Sequence, residues 1–178
     1  MSIPRPAPPV LLIAAVTWSP EVVEAGIVAR LEDAWGPISA IGPAFRFDDY
    51  TDYYAEEMGA GLTKRILAFA EPVRPEHLAD IKLRSNEVER FWHTAEGARR
   101  VNIDPGYLCA LTLVLASGKP SAYRIYLRDG IWAEITLRYE RGSYAPLSTT
   151  YPDFRAAETI AFLNSLRPRA LEVGRETR

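Results

Sequence analysis

Val10-Leu11-Leu12-Ile13-Ala14-Ala15-Val16 is an unbroken apolar run with no polar side chain to turn toward water. A strand of this kind is covered on both faces, so the chain must supply packing elements on either side of a sheet. The run is far short of the ~20 residues that span a bilayer. Only Arg5 and four prolines precede it, and it ends in Trp18-Ser19-Pro20 without a small-residue cleavage site, so it reads as core rather than as a leader and the protein as cytoplasmic. A chain of 178 residues that is 48% apolar buries roughly 70% of its unfolded surface and needs neither disulfide nor structural metal to fold. Its single cysteine, Cys109, forms no internal bridge and no thiolate zinc site. A formal charge of -2 offers no bulk attraction to duplex DNA or to a membrane surface.

Around that strand the pattern alternates. Residues 1–9 read as an extended Pro-rich arm. Ser19-Pro20-Glu21 supplies an N-cap, a proline and an acid for a helix whose Val23, Ile27 and Leu31 recur at i+4 and which ends near Trp35-Gly36-Pro37. Ile38 to Phe47 is a strand interrupted by Gly42-Pro43, and Asp48 to Gly61 an acidic, tyrosine-rich connection. Leu62 to Ala70 is a third strand, with Leu67 and Phe69 on one side and Ile66 and Ala68 on the other. Pro75 opens a second helix with Leu78, Ile81, Val88 and Phe91 or Trp92 as its apolar stripe. Arg100 to Ile103 and Tyr107 to Ala116 are strand-like, broken at Asp104-Pro105-Gly106. The order strand, helix, strand, strand, helix, strand predicts an α+β fold with a ferredoxin-like (βαββαβ) core, both helices on one face of an antiparallel sheet. A C-terminal hairpin within Tyr123 to Tyr139 extends the sheet, and Tyr151 to Leu166 forms a final helix. On this reading residues 10–166 are one domain and 167–178 a polar, mobile tail.

The hairpin register follows from its apolar positions. A two-residue Asp129-Gly130 turn would set Arg124 opposite Ile135 and mix polar with apolar on both faces. A three-residue Arg128-Asp129-Gly130 loop pairs Arg124 with Glu134 and Tyr126 with Trp132. Tyr123, Ile125, Leu127, Ile131, Ala133, Ile135 and Leu137 then form a core face, and Arg124, Tyr126, Trp132, Glu134, Thr136 and Arg138 a functional face or a plain cross-strand ion pair.

No nucleotide-binding signature survives inspection. Ser117-Gly118-Lys119-Pro120-Ser121 imitates the end of a P-loop, but Leu113 occupies the early glycine and Pro120 the magnesium-holding Ser or Thr. His77 and His93, the only histidines, lie toward opposite ends of the second helix and make a two-histidine metal centre improbable. Acid–base work therefore falls to carboxylates, tyrosines or lysines. The connection from Asp48 to Glu57 holds five carboxylates, either a solvated acidic loop or oxygen ligands for a hard cation such as magnesium. On the second helix Lys82, Asn86 and Glu89 project together, as a water-facing stripe or as part of a site. Asn102 and Asp104 face the same way ahead of Pro105-Gly106, where a turn is the plain alternative. The chain uses 18 arginines but only three lysines, Lys64, Lys82 and Lys119, so these lysines mark positions where a compact, movable ammonium is wanted, or else are ordinary surface residues.

The runs Arg100 to Leu108, Leu113 to Ser117 with Lys119, Tyr123 to Leu127, Gly130 to Glu134 and Tyr151 to Arg155 resemble domain-of-unknown-function family 4416 of prokaryotes. Tyr53-Tyr54 with Glu57-Met58-Gly59, and Lys82 through Asn86, carry the same likeness, which therefore covers nearly the whole chain. Ser85 and Trp132 depart slightly from that family's pattern. Some members are described as GTP-binding, a property that the missing P-loop of this sequence does not support. The resemblance implies that the polar segments singled out above belong to one family-wide site. The expectation is a domain that binds an anionic, phosphorylated or nucleotide-like small molecule on a polar, aromatic sheet face. Arg124, Lys64, Lys82 and Lys119 would neutralise it, Tyr126, Trp132 and Tyr54 would stack, and Asn86 and Asn102 would add hydrogen bonds. Glu134 and Asp104 are the catalytic candidates, and with Glu57 the candidate metal ligands, for magnesium. The alternatives are a non-enzymatic module that docks a protein partner or single-stranded RNA, and a homodimer closed by the polar face.

Overall fold

The computed structural model describes residues 3–175. In chain order the elements are β1 (Val10–Trp18), α1 (Glu24–Trp35), β2 (Ile38–Ile41), β3 (Phe45–Arg46), α2 (Ala55–Met58), β4 (Thr63–Val73), α3 (Leu78–Glu89), β5 (Val101–Leu108), β6 (Thr112–Ser117), β7 (Ile125–Arg128), β8 (Ile131–Glu140), β9 (Ser143–Pro146) and α4 (Ala157–Val173). The nine strands form one antiparallel sheet in the order β2-β4-β1-β5-β6-β8-β7, with β3 beside β4 and β9 beside β8. The fold is α+β, with a sheet larger than a four-stranded core requires.

Every residue of β1 is buried, because the sheet is covered on both faces. Leu11, Ile13 and Ala15 pack with Leu163, Leu166 and Ala170 of α4. Their neighbours Leu12, Ala14 and Val16 pack with Ile27 and Leu31 of α1 and with Ile81 and Val88 of α3. Strand β4 divides in the same way, Ile66 and Ala68 toward α4 and Leu67 and Phe69 toward α1 and α3.

Several expectations are corrected. Ser19 does not cap α1, whose N-cap is Val23 without a side-chain bond. Both its amide and its hydroxyl instead donate to the Arg100 carbonyl, prolonging the β1–β5 pairing. Asp104-Pro105-Gly106 is no turn, since β5 runs through it. The tail is helical to Val173: Leu163, Leu166, Ala170 and Val173 keep one buried stripe across the internal Pro168. Asp129 and Gly130, at φ 51° and 75°, make a two-residue turn closed by Arg128 opposite Ile131, with positive φ at both positions as a type I′ turn requires. A register shift at Leu127 nonetheless leaves Tyr126 opposite Trp132. A second shift at Thr136 puts Ile135 opposite Val114 but Leu137 opposite Leu113, so Ile135 and Leu137 fall on opposite faces. The expected core face of the hairpin is therefore split. Leu137 is buried against α4 and Ile131 against Leu78 and Ala79 of α3, whereas Tyr123, Ile125, Leu127 and Ile135 remain exposed.

Candidate functional site

The site begins where the sheet forks. Strand β5 pairs with β6 only from Gly106 to Leu108, and Pro105, having no N–H, cannot continue the ladder toward that edge. Gly106 sits at the crotch, because a Cβ there would overlap the Val114 carbonyl oxygen. Beyond the crotch, side chains of α3 take the place of the missing strand. Glu89 Oε1 accepts the Ile103 N–H at 2.7 Å, and Lys82 Nζ donates to the Ile103 carbonyl at 2.7 Å. Lys82 thereby reaches from a helix on one face to a cavity that opens on the other.

That cavity, of ≈ 550 Å3, is lined by Lys64, Lys82, Asn86, Arg99, Asn102, Asp104, Lys119, Arg124, Glu134, Tyr151 and Asp153, with Phe47, Tyr53, Tyr54 and Phe154 among its aromatic walls. A chain of polar contacts forms its floor. Glu57 accepts a bidentate pair from Arg99 at 2.6 and 2.7 Å. Arg99 donates to Asn102 Oδ1 at 2.7 Å, and Asn102 Nδ2 to Asp104 Oδ2 at 2.7 Å. Asp104 Oδ1 lies 3.3 Å from Lys82 Nζ. Across the floor Lys64 meets Asp153 at 2.6 Å, its ammonium flanked by the Phe47 and Phe154 rings. At the rim Arg124 donates through Nε to Glu134 at 2.8 Å, through Nη1 to the Lys119 carbonyl at 2.6 Å and through Nη2 to the Tyr151 hydroxyl. Lys119 Nζ contacts the Tyr53 hydroxyl at 2.5 Å.

Electrostatics sharpen these roles. Burial pushes the Asp104 carboxyl up, but Lys82, Lys64 and the Asn102 hydrogen bond outweigh it and hold the group below the usual range, so it is an ionised acceptor. Burial raises Glu89 against the opposing charge of Lys82. Burial, then the charge of Asp104, raises the Tyr54 phenol, which stays protonated. Beneath the floor Thr17 is fully buried, in register with both Lys64 and Asn102, and its hydroxyl has no partner among the described residues. Thr17→Val removes that unmet polar group, and urea unfolding is expected to show stability unchanged or raised by up to about 1 kcal/mol; a loss above that range would mean that the hydroxyl is satisfied.

The profile of a family described as a domain of unknown function, DUF4416, matches residues 8–169. The chain belongs to the DUF4416 family. No curated protein and no solved structure matches it. In this DUF4416 chain Lys82 and Asn86, Asn102 and Asp104, and Tyr151 to Phe154, each from a stretch that carries the family likeness, line the cavity.

Of the residues singled out from the sequence, Lys64, Lys82, Asn86, Asn102, Asp104, Lys119, Arg124, Glu134 and Tyr54 line the one cavity. Tyr126 and Trp132 do not. They contact each other edge-on at 5.1 Å farther along the hairpin, and Phe47, Tyr53, Tyr54, Tyr151 and Phe154 form the aromatic walls instead. Glu57 also lies outside the lining and acts through Arg99. The proposed metal set of Glu57, Asp104 and Glu134 does not assemble, because each carboxylate is engaged by a different cation. Among the described residues no group of three or more His, Cys, Asp or Glu side chains could hold a metal ion, and no helix is long and apolar enough to cross a membrane. Arg99 and Asp153 line the cavity as well, beyond the residues expected from the sequence. For Asp153 the signal was its place in the Tyr151 to Arg155 stretch of the family likeness. For Arg99, three positions before Asn102, there was none.

Proposed function

We propose that this domain binds an anionic, phosphorylated or nucleotide-like small molecule in the forked-sheet cavity. One observation carries the reading. All three lysines of an arginine-rich chain line this cavity, and two of them, Lys64 and Lys82, are buried. Five cations line the walls against three carboxylates, Asp104, Glu134 and Asp153, in a chain whose formal charge is -2. The volume falls within the ~300–1,000 Å3 common for small-molecule sites. Arg124 supports the reading by holding the Lys119 carbonyl at the rim. Asp104 is the group through which such a site would do acid–base chemistry; binding alone requires no reaction. The order β2-β4-β1-β5, with α1 and α3 on one face, supports reading this part of the sheet as the ferredoxin-like unit, enlarged by the strands that follow.

The test is a thermal-shift screen of nucleotides and sugar phosphates, with and without magnesium, beside the uncharged sugars. A ligand at 100 times its dissociation constant is expected to stabilise the fold by ~2.7 kcal/mol. Lys119→Ala changes an exposed residue and should erase that shift without altering the unliganded midpoint. Equal shifts from charged and uncharged sugars would end this reading.

A second reading, a non-enzymatic module that docks a protein partner, is favoured by a different surface. Tyr123, Ile125 and Ile135 are exposed together on the hairpin, and Arg128 beside them is tied to Asp80 and Asp129. Such a face suits an apolar partner better than RNA. Light scattering tests whether that partner is a second copy.

A further inference from the structure

Resting on the anionic-ligand reading, we infer that the cavity takes a hydroxylated phosphomonoester, its phosphate held at the rim by Lys119 and its hydroxyls held at the floor by Asp104 and Asn86. The two ends of the cavity differ in what they can accept. At the rim, Lys119 is exposed and is the one lining cation without a carboxylate partner among the described residues. Among the described residues its hydrogen-bond partner through Nζ is the Tyr53 hydroxyl, which carries no carboxylate charge. A phosphate can displace a phenol from an ammonium, because the charge-assisted contact is the stronger.

The floor is closed to phosphate. Asp104 is the most open of the three lining carboxylates, with 28% of its side chain exposed, against 13% for Glu134 and 3% for Asp153. Its two oxygens receive one hydrogen bond each from Lys82 and Asn102, and an ionised carboxylate has about four acceptor positions. What remains accepts a hydroxyl proton and repels an oxyanion. Asn86 stands one turn after Lys82 on α3 and lines the same cavity, and its side-chain amide makes no hydrogen bond among the described residues. Its amide both donates and accepts, which matches a polyol. The cations of the pairs Lys64–Asp153, across the floor, and Arg124–Glu134, at the rim, are already matched by a carboxylate. A molecule with phosphate at one end and hydroxyls at the other fits this gradient in one orientation.

The experiment is calorimetric titration of the full chain with inorganic phosphate, ribose 5-phosphate and ribose. For the wild type, ribose 5-phosphate is expected to bind at least tenfold tighter than inorganic phosphate. Asn86→Ala, a change on a helix surface, and Asp104→Asn are each expected to cut that ratio below threefold while leaving the affinity for inorganic phosphate unchanged. A ratio unaltered in Asn86→Ala overturns the inference even if Asp104→Asn fails to fold. Tenfold tighter inorganic phosphate binding by Asp104→Asn also overturns it, because the phosphate would then lie at the floor. If wild-type protein binds inorganic phosphate but prefers ribose 5-phosphate by less than threefold, the orientation falls and the anion site stands. If it binds neither phosphate, the anion site falls as well.

Discussion

Lys82→Ala is expected to lower the unfolding free energy by about 3–5 kcal/mol at neutral pH, the scale for removing one partner of a buried charge pair. Only 6% of the Lys82 side chain is exposed, and 4% of that of Glu89, 3.8 Å away. Without the ammonium, Glu89 and Asp104 confront each other across the fork, and the Ile103 carbonyl loses its strongest donor. The pH dependence separates this cause from lost packing. Lys82 lowers the pKa of both carboxyls, so its removal raises both in the folded state. Stability linked to the depressed Asp104 is present above that group's unfolded pKa and is lost as pH falls through its folded value. In the variant that contribution is already gone, so the difference from wild type should shrink as pH falls through the carboxylate range. Urea unfolding at pH 7 and near pH 3, below the usual aspartate value of 3.8, measures it. A loss below about 1 kcal/mol at pH 7, or one that grows on acidification, would rule out the charge argument.

Gly106→Ala is the second large effect. The new Cβ would overlap the Val114 carbonyl oxygen and come within 2.7 Å of Leu115 Cδ2. Backbone on a paired strand cannot move aside as a flexible side chain can, so the last rung of the β5–β6 ladder must separate. The expected cost is about 3 kcal/mol, the upper part of the range for overpacking, which lowers the melting midpoint by roughly 6–12 °C for a chain of this length. Hydrogen exchange should report the site of damage, with faster exchange at Tyr107 and Val114 than in the β1–β4 pairing. Uniform loosening across the sheet would contradict a crotch at Gly106.

Much of this was legible from residue order alone. The run from Val10 to Val16 announced a strand covered on both faces, and the alternation of Ile66, Leu67, Ala68 and Phe69 assigned each to its layer. The scarcity of lysine pointed to Lys64, Lys82 and Lys119, which meet in the cavity. The hairpin shows where such reasoning stops. Its pairing of Tyr126 with Trp132 was readable from side-chain types, but shifts at Leu127 and Thr136 reversed the parity that a regular ladder would have kept. Pro168 hid the last turns of α4, since a proline reads as a stop unless the packing of Ala170 and Val173 is known.

What sequence by itself determined is which residues are buried or polar and which segments are strand or helix, because those properties repeat with the period of one element and are felt by near neighbours. Tertiary structure alone decided that β5 and β6 part at Gly106, that Lys82 crosses from one face to the other, and that Arg99 joins the site. Those outcomes depend on a missing rung between strands and on charges brought together from distant parts of the chain, and such contacts leave no periodic trace in the order of residues.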